Sequence, residues 1–268
     1  MNYRIRKLLI KLGYYSKPDF MIIGAQKSGT SALYQILKNH DSIHGARKKE
    51  LHYFSNDERY LKKNSLREYH AEFPLPHEIP KGTLIFESTP LYMYHPKVAE
   101  RLNGYNPDLK LIILLRSPAE RALSAWTMYH HQFREGAFSS NHDNRSFKEA
   151  VEDELSKIDE VNFYTDKRGY VKRGIYHEQI QLIYNFFPRE QVLVLESDEL
   201  KNDFPNAASK ISDFLRIEKD MLKSKIYNKS EVDTNDLCKS TVELLKEFYK
   251  PHNSRLYALL GERYNWND

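Results

Sequence analysis

Three short stretches of the chain bring together residue types that could do chemistry. Residues 24–31 read Gly24-Ala25-Gln26-Lys27-Ser28-Gly29-Thr30-Ser31, an ammonium group and three hydroxyls set among two glycines. Glycine permits backbone angles that a side chain forbids, so successive backbone N–H groups can turn inward and cradle an anion. The second stretch, Arg116-Ser117-Pro118-Ala119-Glu120-Arg121-Ala122-Leu123-Ser124, offers a guanidinium and, about two helical turns later, the hydroxyl of Ser124 close to the face of Ser117 and Arg121. That pair can grip a second phosphate; the alternative is an Arg116 that pairs with a neighbouring carboxylate. The third, Glu50-Leu51-His52, sets two proton-transfer groups two residues apart, on one face if the piece is extended. Standing alone, such a pair is more often a surface or packing feature, so its catalytic reading depends on context.

The elements that must position these groups are legible. Phe20-Met21-Ile22-Ile23 is an apolar run closed by Gly24, which reads as a buried strand, and Leu33, Ile36 and Leu37 have the spacing of a helix face. The helix opening near Ser28 to Thr30 points its positive end at the glycine loop. The loop of ATPases and GTPases has the form G-x-x-x-x-G-K-[ST]. Gly24 and Gly29 keep that spacing, but Thr30 fills the lysine position and Lys27 lies inside the loop.

Thr83-Leu84-Ile85-Phe86 is a second candidate strand, followed by Glu87-Ser88-Thr89-Pro90; Val98 to Leu102 reads as helix with Gly104 as its stop. Leu109 to Leu115 is the clearest strand: Leu111 to Leu115 is continuously apolar, as expected of a parallel strand covered on both faces, and the run ends on Arg116. Ser117-Pro118-Ala119-Glu120 then has the pattern of a capping box. In a parallel sheet the strand C-termini line the ligand edge, which puts Arg116 beside the glycine loop. Gln191 to Leu195 is the last strand, Pro205 to Leu215 a helix, and Ser240 to Glu243 a capping box opening a helix to Tyr249 with Pro251 as its stop. The alternation predicts an α/β fold, a central parallel β-sheet flanked by helices, in one domain, residues 18–268, after a basic segment, residues 1–17.

A chain of 268 residues with 19 Tyr and 13 Phe can build a sizeable core, which excludes global disorder. Its 41 Lys+Arg against 37 Asp+Glu give a net charge of +4, which suits an anionic ligand and does not call for a nucleic-acid partner. The single cysteine, Cys238, allows no intramolecular disulfide and no cysteine-based zinc site, which points to a reducing compartment. Met1 to Leu12 holds one apolar triplet, Leu8-Leu9-Ile10, too short for a secretory core or a membrane span, so the chain reads as cytoplasmic. This segment is either a plain solvated helix or an amphipathic one that touches a membrane surface or a neighbouring subunit. Oligomeric state is not written in the sequence.

These motifs, in this order, resemble the sulfotransferases that use 3′-phosphoadenosine 5′-phosphosulfate (PAPS), especially the branch with the heparan sulfate sulfotransferases and bacterial relatives. Residues 23–31 are similar to that family's 5′-phosphosulfate loop, 114–124 to its 3′-phosphate segment, and 50–54 to the segment bearing the catalytic glutamate of the glycan-modifying branch. Gly174-Ile175-Tyr176 and the stretch from Leu244 to Trp266 resemble later family segments. The resemblance implies a P-loop-like nucleotide-binding fold with PAPS as sulfuryl donor and no metal. It implies that Lys27 bridges the 5′-phosphate and the departing sulfuryl group, with Gln26, Ser28, Gly29, Thr30 and Ser31 around the phosphate. Arg116 and Ser124 would hold the 3′-phosphate, with Tyr176 and Lys229 as further cofactor contacts. Glu50 would be the base that accepts the acceptor's hydroxyl proton, with His52 orienting or replacing it. Ser88 stands where heparan sulfate enzymes often carry a lysine, and the loop around Lys229 lacks the family's glycines and cysteine pair.

The acceptor implied is a carbohydrate hydroxyl, with a lipid or small-metabolite alcohol as the alternative. Tyr53, Tyr92, Tyr94, Trp126 and Tyr176 either stack against sugar rings or belong to the core. Two readings from other classes are a phosphate sensor that keeps the loop without chemistry, and a P-loop kinase, which magnesium dependence would reveal.

Overall fold

The continuous apolar runs become strands, in a computed structural model that describes residues 3–134, 142–165, 168–218, 222–223 and 236–266. In chain order come α1 (Tyr3–Lys11), β1 (Phe20–Gly24), α2 (Thr30–Lys38), β2 (Ile43–Gly45), α3 (Asp57–Leu61) and α4 (Ser65–His70). Then follow β3 (Leu84–Ser88), α5 (Val98–Tyr105), β4 (Lys110–Leu115), α6 (Pro118–Arg134) and α7 (Phe147–Leu155). The described part ends with α8 (Tyr176–Tyr184), β5 (Val192–Glu196), α9 (Ser197–Asn202), α10 (Phe204–Leu215) and α11 (Asp236–Leu260).

The sheet is parallel, five-stranded, and ordered β2-β3-β1-β4-β5. β1 lies at its centre, buried along its whole length, with Ile22 opposite Ser88 of β3 and Ile112 of β4. This is the α/β architecture, a central sheet flanked by helices, expected from the alternating elements. Two compact units divide the chain: one holds residues up to Ala25, Gly29–Leu114 and Tyr184 through α10, the other Gln26–Ser28, Leu115–Ile183 and α11. In the first, Phe20, Ile22, Phe86 and Ile112 meet Leu33 and Leu37 of α2 and Ile211 of α10. In the second, Ala122 and Trp126 of α6 meet Val151 of α7 and Leu245 and Tyr249 of α11.

Several boundaries differ from the sequence reading. Edge strand β2 goes unread in the sequence, because three residues are too few to show a period. β3 runs on to Ser88 and so takes in Glu87. α5 passes through Gly104, which meets no neighbour and tolerates helical angles. Pro251 lies inside α11, and Ser240 to Glu243 is helix interior instead of its start. An internal proline costs a helix roughly 3 kcal/mol; here buried Leu245, Tyr249 and Leu256 bracket it, and that packing outweighs the lost hydrogen bond.

Candidate functional site

The glycine loop leaves β1 at the middle of the sheet's C-terminal edge. Its glycines do different jobs from those expected. Gly29, at φ +89°, is the left-handed residue before α2, and having no side chain it leaves the first-turn amides uncapped, the arrangement that binds anions. Gly24 has an ordinary φ; a Cβ there would lie 2.5 Å from the sulfur of Met93, so its glycine answers to close packing. The second left-handed position falls on Lys27, at φ +70°. A lysine held there costs on the order of 1 kcal/mol, the kind of strain that concentrates at functional sites. Thr30 opens α2 and is buried, while Ser31 beside it is exposed.

Gln26, Lys27 and Ser28 belong to the second unit, together with Arg116, Ser124 and Tyr176. Gln26 is pinned: its carbonyl accepts from Arg173 Nη1 at 2.6 Å and its amide donates to the Tyr129 hydroxyl at 3.4 Å. Tyr176 is buried, and its hydroxyl donates to the Arg116 carbonyl at 3.0 Å. Burial pushes this phenol's pKa up, while Arg121 and the Ser28 hydroxyl beside it pull the other way. Tyr176 thus holds the residue that follows β4. The Arg116 guanidinium makes a fork onto Glu120, at 3.0 Å from Nε and 2.7 Å from Nη2. Glu120 is therefore not the closing member of a capping box, and the Ser117 hydroxyl is buried without a hydrogen bond. Ser124 is buried one turn beyond Arg121, whose own Nη2 reaches the carbonyls of Gly169 and Tyr170. Lys229 lies outside the described residues.

Glu50 and His52 sit in the first unit. Glu50 and His52 have φ +61° and +53°, so a left-handed turn, and not an extended piece, brings them together. His52 Nε2 is 3.6 Å from one Glu50 carboxylate oxygen, and Lys49 Nζ is 2.6 Å from the other. His52 foremost, then Lys49, holds the Glu50 carboxyl down to about 2 against its burial. The Glu50 amide donates to the Ser88 carbonyl at 2.9 Å, which hangs the turn on the end of β3.

Beside that anchor lies Glu87, a residue of no assigned role in the sequence reading. Fully buried, it accepts from Tyr69 at 2.5 Å, Thr89 at 2.7 Å and Tyr92 at 2.8 Å. Burial raises its pKa against the pull of those hydroxyls. Tyr92 also accepts from the Phe54 amide at 3.3 Å, so the buried carboxylate braces the Phe54 end of the segment that carries Glu50 and His52. The available signal was a carboxylate ending an apolar strand just before Ser-Thr-Pro. Of the aromatic residues considered for sugar stacking, Tyr53, Tyr92, Trp126 and Tyr176 are buried and belong to the core.

A phosphate-bearing nucleotide fits what is present. In the second unit the buried Ser117 hydroxyl has no partner, and in the first those of Ser88, at the end of β3, and Ser197, just after β5, have none. Such groups are costly unless a ligand or water meets them. Among the described residues no cluster of His, Cys, Asp and Glu is arranged to hold a metal ion, and no helix is long and apolar enough to cross a membrane.

Comparison with known proteins adds the following. The family model described as "Sulfotransferase domain" matches residues 17–254. Heparan sulfate glucosamine 3-O-sulfotransferase 5 of Mus musculus is 28% identical over 275 residues, spanning 93% of this chain and 74% of that protein. Membrane-associated sulfotransferase kil1 of Dictyostelium discoideum is 25% identical over 319 residues, spanning 94% and 67%. Among solved structures, a sulfotransferase from Alicyclobacillus acidocaldarius is 26% identical with a TM-score of 0.73, covering 94% of this chain and all of that one. The sulfotransferase domain from the curacin biosynthetic pathway, 14% identical with a TM-score of 0.52 over 93% of this chain and 100% of its own, shares the fold alone.

Proposed function

The chain belongs to the sulfotransferase family and is an enzyme of that class; from that premise we propose that it takes the sulfuryl group from PAPS and delivers it to a carbohydrate hydroxyl. The observation that carries the donor reading is the loop itself, with Lys27 in left-handed backbone between a pinned Gln26 and the glycine that caps α2. Lys27, Ser28, Thr30, Ser31 and the loop amides would hold the 5′-phosphate end. Arg116 and Ser124 would hold the 3′-phosphate, for which the Arg116 fork must exchange Glu120 for phosphate, a stronger bidentate partner. Bound there, PAPS supplies the sulfuryl group.

The residues then divide the work. The Lys27 ammonium neutralises charge gathering on the oxygen that leaves with the 5′-phosphate. Glu50, ionised at neutral pH, takes the proton of the acceptor hydroxyl, and His52 orients it. Such a base contributes about 10²–10⁴-fold. The carbohydrate assignment rests on the heparan sulfate relatives; a lipid or small-metabolite alcohol is the second reading, favoured by the burial of the candidate sugar-stacking aromatics. The lone, buried Cys238 accords with a cytoplasmic setting.

Calorimetric titration with 3′-phosphoadenosine 5′-phosphate, AMP, and ATP with and without magnesium tests the donor. The bisphosphate should bind at least about tenfold tighter than AMP without metal; preference for magnesium-ATP would overturn the reading. Sulfate transfer from labelled PAPS to glucosamine-containing oligosaccharides and to simple alcohols then separates the acceptors. Glu50→Gln should keep bisphosphate affinity while turnover falls by about 10²–10⁴.

A further inference from the structure

Helix α1 is fastened to the first unit through Arg6 and Ile10. Arg6 is 6% exposed, and its Nη1 donates to both Glu78 carboxylate oxygens at 2.9 and 2.7 Å, while its Nη2 donates to the Phe73 carbonyl. Ile10 is 4% exposed on the same side. The other side is apolar and open, with Ile5, Leu8 and Leu12 exposed by 52%, 54% and 74%. Leu12 still continues the helical hydrogen bonding, its amide donating to Leu8 at 3.0 Å.

At about 100° per residue, Leu8 and Leu12 fall within about 60° of Ile5 and make one stripe. Arg6 and Ile10 lie about 100–140° round from Ile5 in one sense; Arg4, Lys7 and Lys11 lie about 100–160° round in the other. All three are exposed, and α1 contains no acidic residue. Round the axis, therefore, come a face held to the protein, a basic band, and an exposed apolar stripe. A plain solvated helix needs no such stripe. Three aliphatic side chains also offer far less than the roughly 800 Å² per partner of a stable protein interface.

We propose that this outward side of α1 docks the enzyme on an anionic lipid bilayer, with Ile5, Leu8 and Leu12 entering the boundary of the acyl chains and Arg4, Lys7 and Lys11 at the lipid phosphates. Long basic side chains beside an apolar stripe are what a helix lying in that interface uses, the apolar contact giving depth and the charge giving preference for anionic lipid.

Co-sedimentation of the full chain with phosphatidylcholine vesicles, with and without phosphatidylglycerol, tests this. Binding is expected to the anionic vesicles, to fall steeply with salt, and to weaken about tenfold in Leu8→Ser/Leu12→Ser and again in Lys7→Glu/Lys11→Glu. Each variant should keep the wild-type melting temperature and its affinity for 3′-phosphoadenosine 5′-phosphate. No binding to anionic vesicles, or binding that both variants and salt leave unchanged, overturns the proposal. So does a dimer in sedimentation velocity that Leu8→Ser/Leu12→Ser dissolves, because a second copy would then cover the stripe.

Discussion

Replacing His52 by alanine should raise the pKa of Glu50 from its value of about 2, because His52 is the foremost group holding that carboxyl down. The carboxyl moves from an ordinary 4.5 to about 2 in the folded protein. Lys49, 2.6 Å away, remains in the variant and keeps the value below 4.5. The folded pKa lies below the unfolded one, so between those values the native state binds fewer protons than the unfolded chain. The pairing therefore stabilises the fold fully above pH 4.5, and that contribution is lost as pH falls toward 2. With 44% of the Glu50 side chain exposed, solvent screening limits it to on the order of 1 kcal/mol. NMR titration of carboxyl-labelled glutamate, with the Glu50 signal identified by its absence in Glu50→Gln, reads the value directly. Wild-type Glu50 should titrate near about 2, and His52→Ala should move its midpoint upward. A wild-type midpoint near 4.5, or no movement in His52→Ala, would refute the pairing and with it the orienting role of His52.

Three other expectations follow from contacts in the site. Lys27→Gly removes the left-handed strain and should raise stability by roughly 0.5–1 kcal/mol in urea unfolding while abolishing measurable sulfate transfer; a stable, active variant would remove Lys27 from the chemistry. Tyr69→Phe takes one of three hydroxyl donors from a fully buried carboxylate and should cost about 1.5–3 kcal/mol by the same measurement, with the Glu50 turn loosened as well. Glu120→Gln should tighten 3′-phosphoadenosine 5′-phosphate several-fold by calorimetry, because Arg116 no longer has a carboxylate to leave; unchanged affinity would mean that Arg116 does not meet the nucleotide.

Much of the chemistry and most of the strands were local enough to be legible. Continuous apolar runs at 20–23 and 111–115 mark strands of a covered parallel sheet, and the glycine loop after the first announces an anion site. What the sequence alone determined is thus the set of elements and the groups they end on. Partners chosen across the chain were settled only by the tertiary structure. That β1 lies between β3 and β4 is one such choice. The survival of α11 through Pro251 is a second. Glu50 and His52 meet through two left-handed residues and not through strand alternation, and the carboxylate that braces them, Glu87, takes its hydroxyls from Tyr69 and Tyr92. The reason is physical: periodicity records which face of an element is apolar, whereas a hydrogen bond or a tolerated proline depends on which distant side chain arrives beside it, and only packing brings those together.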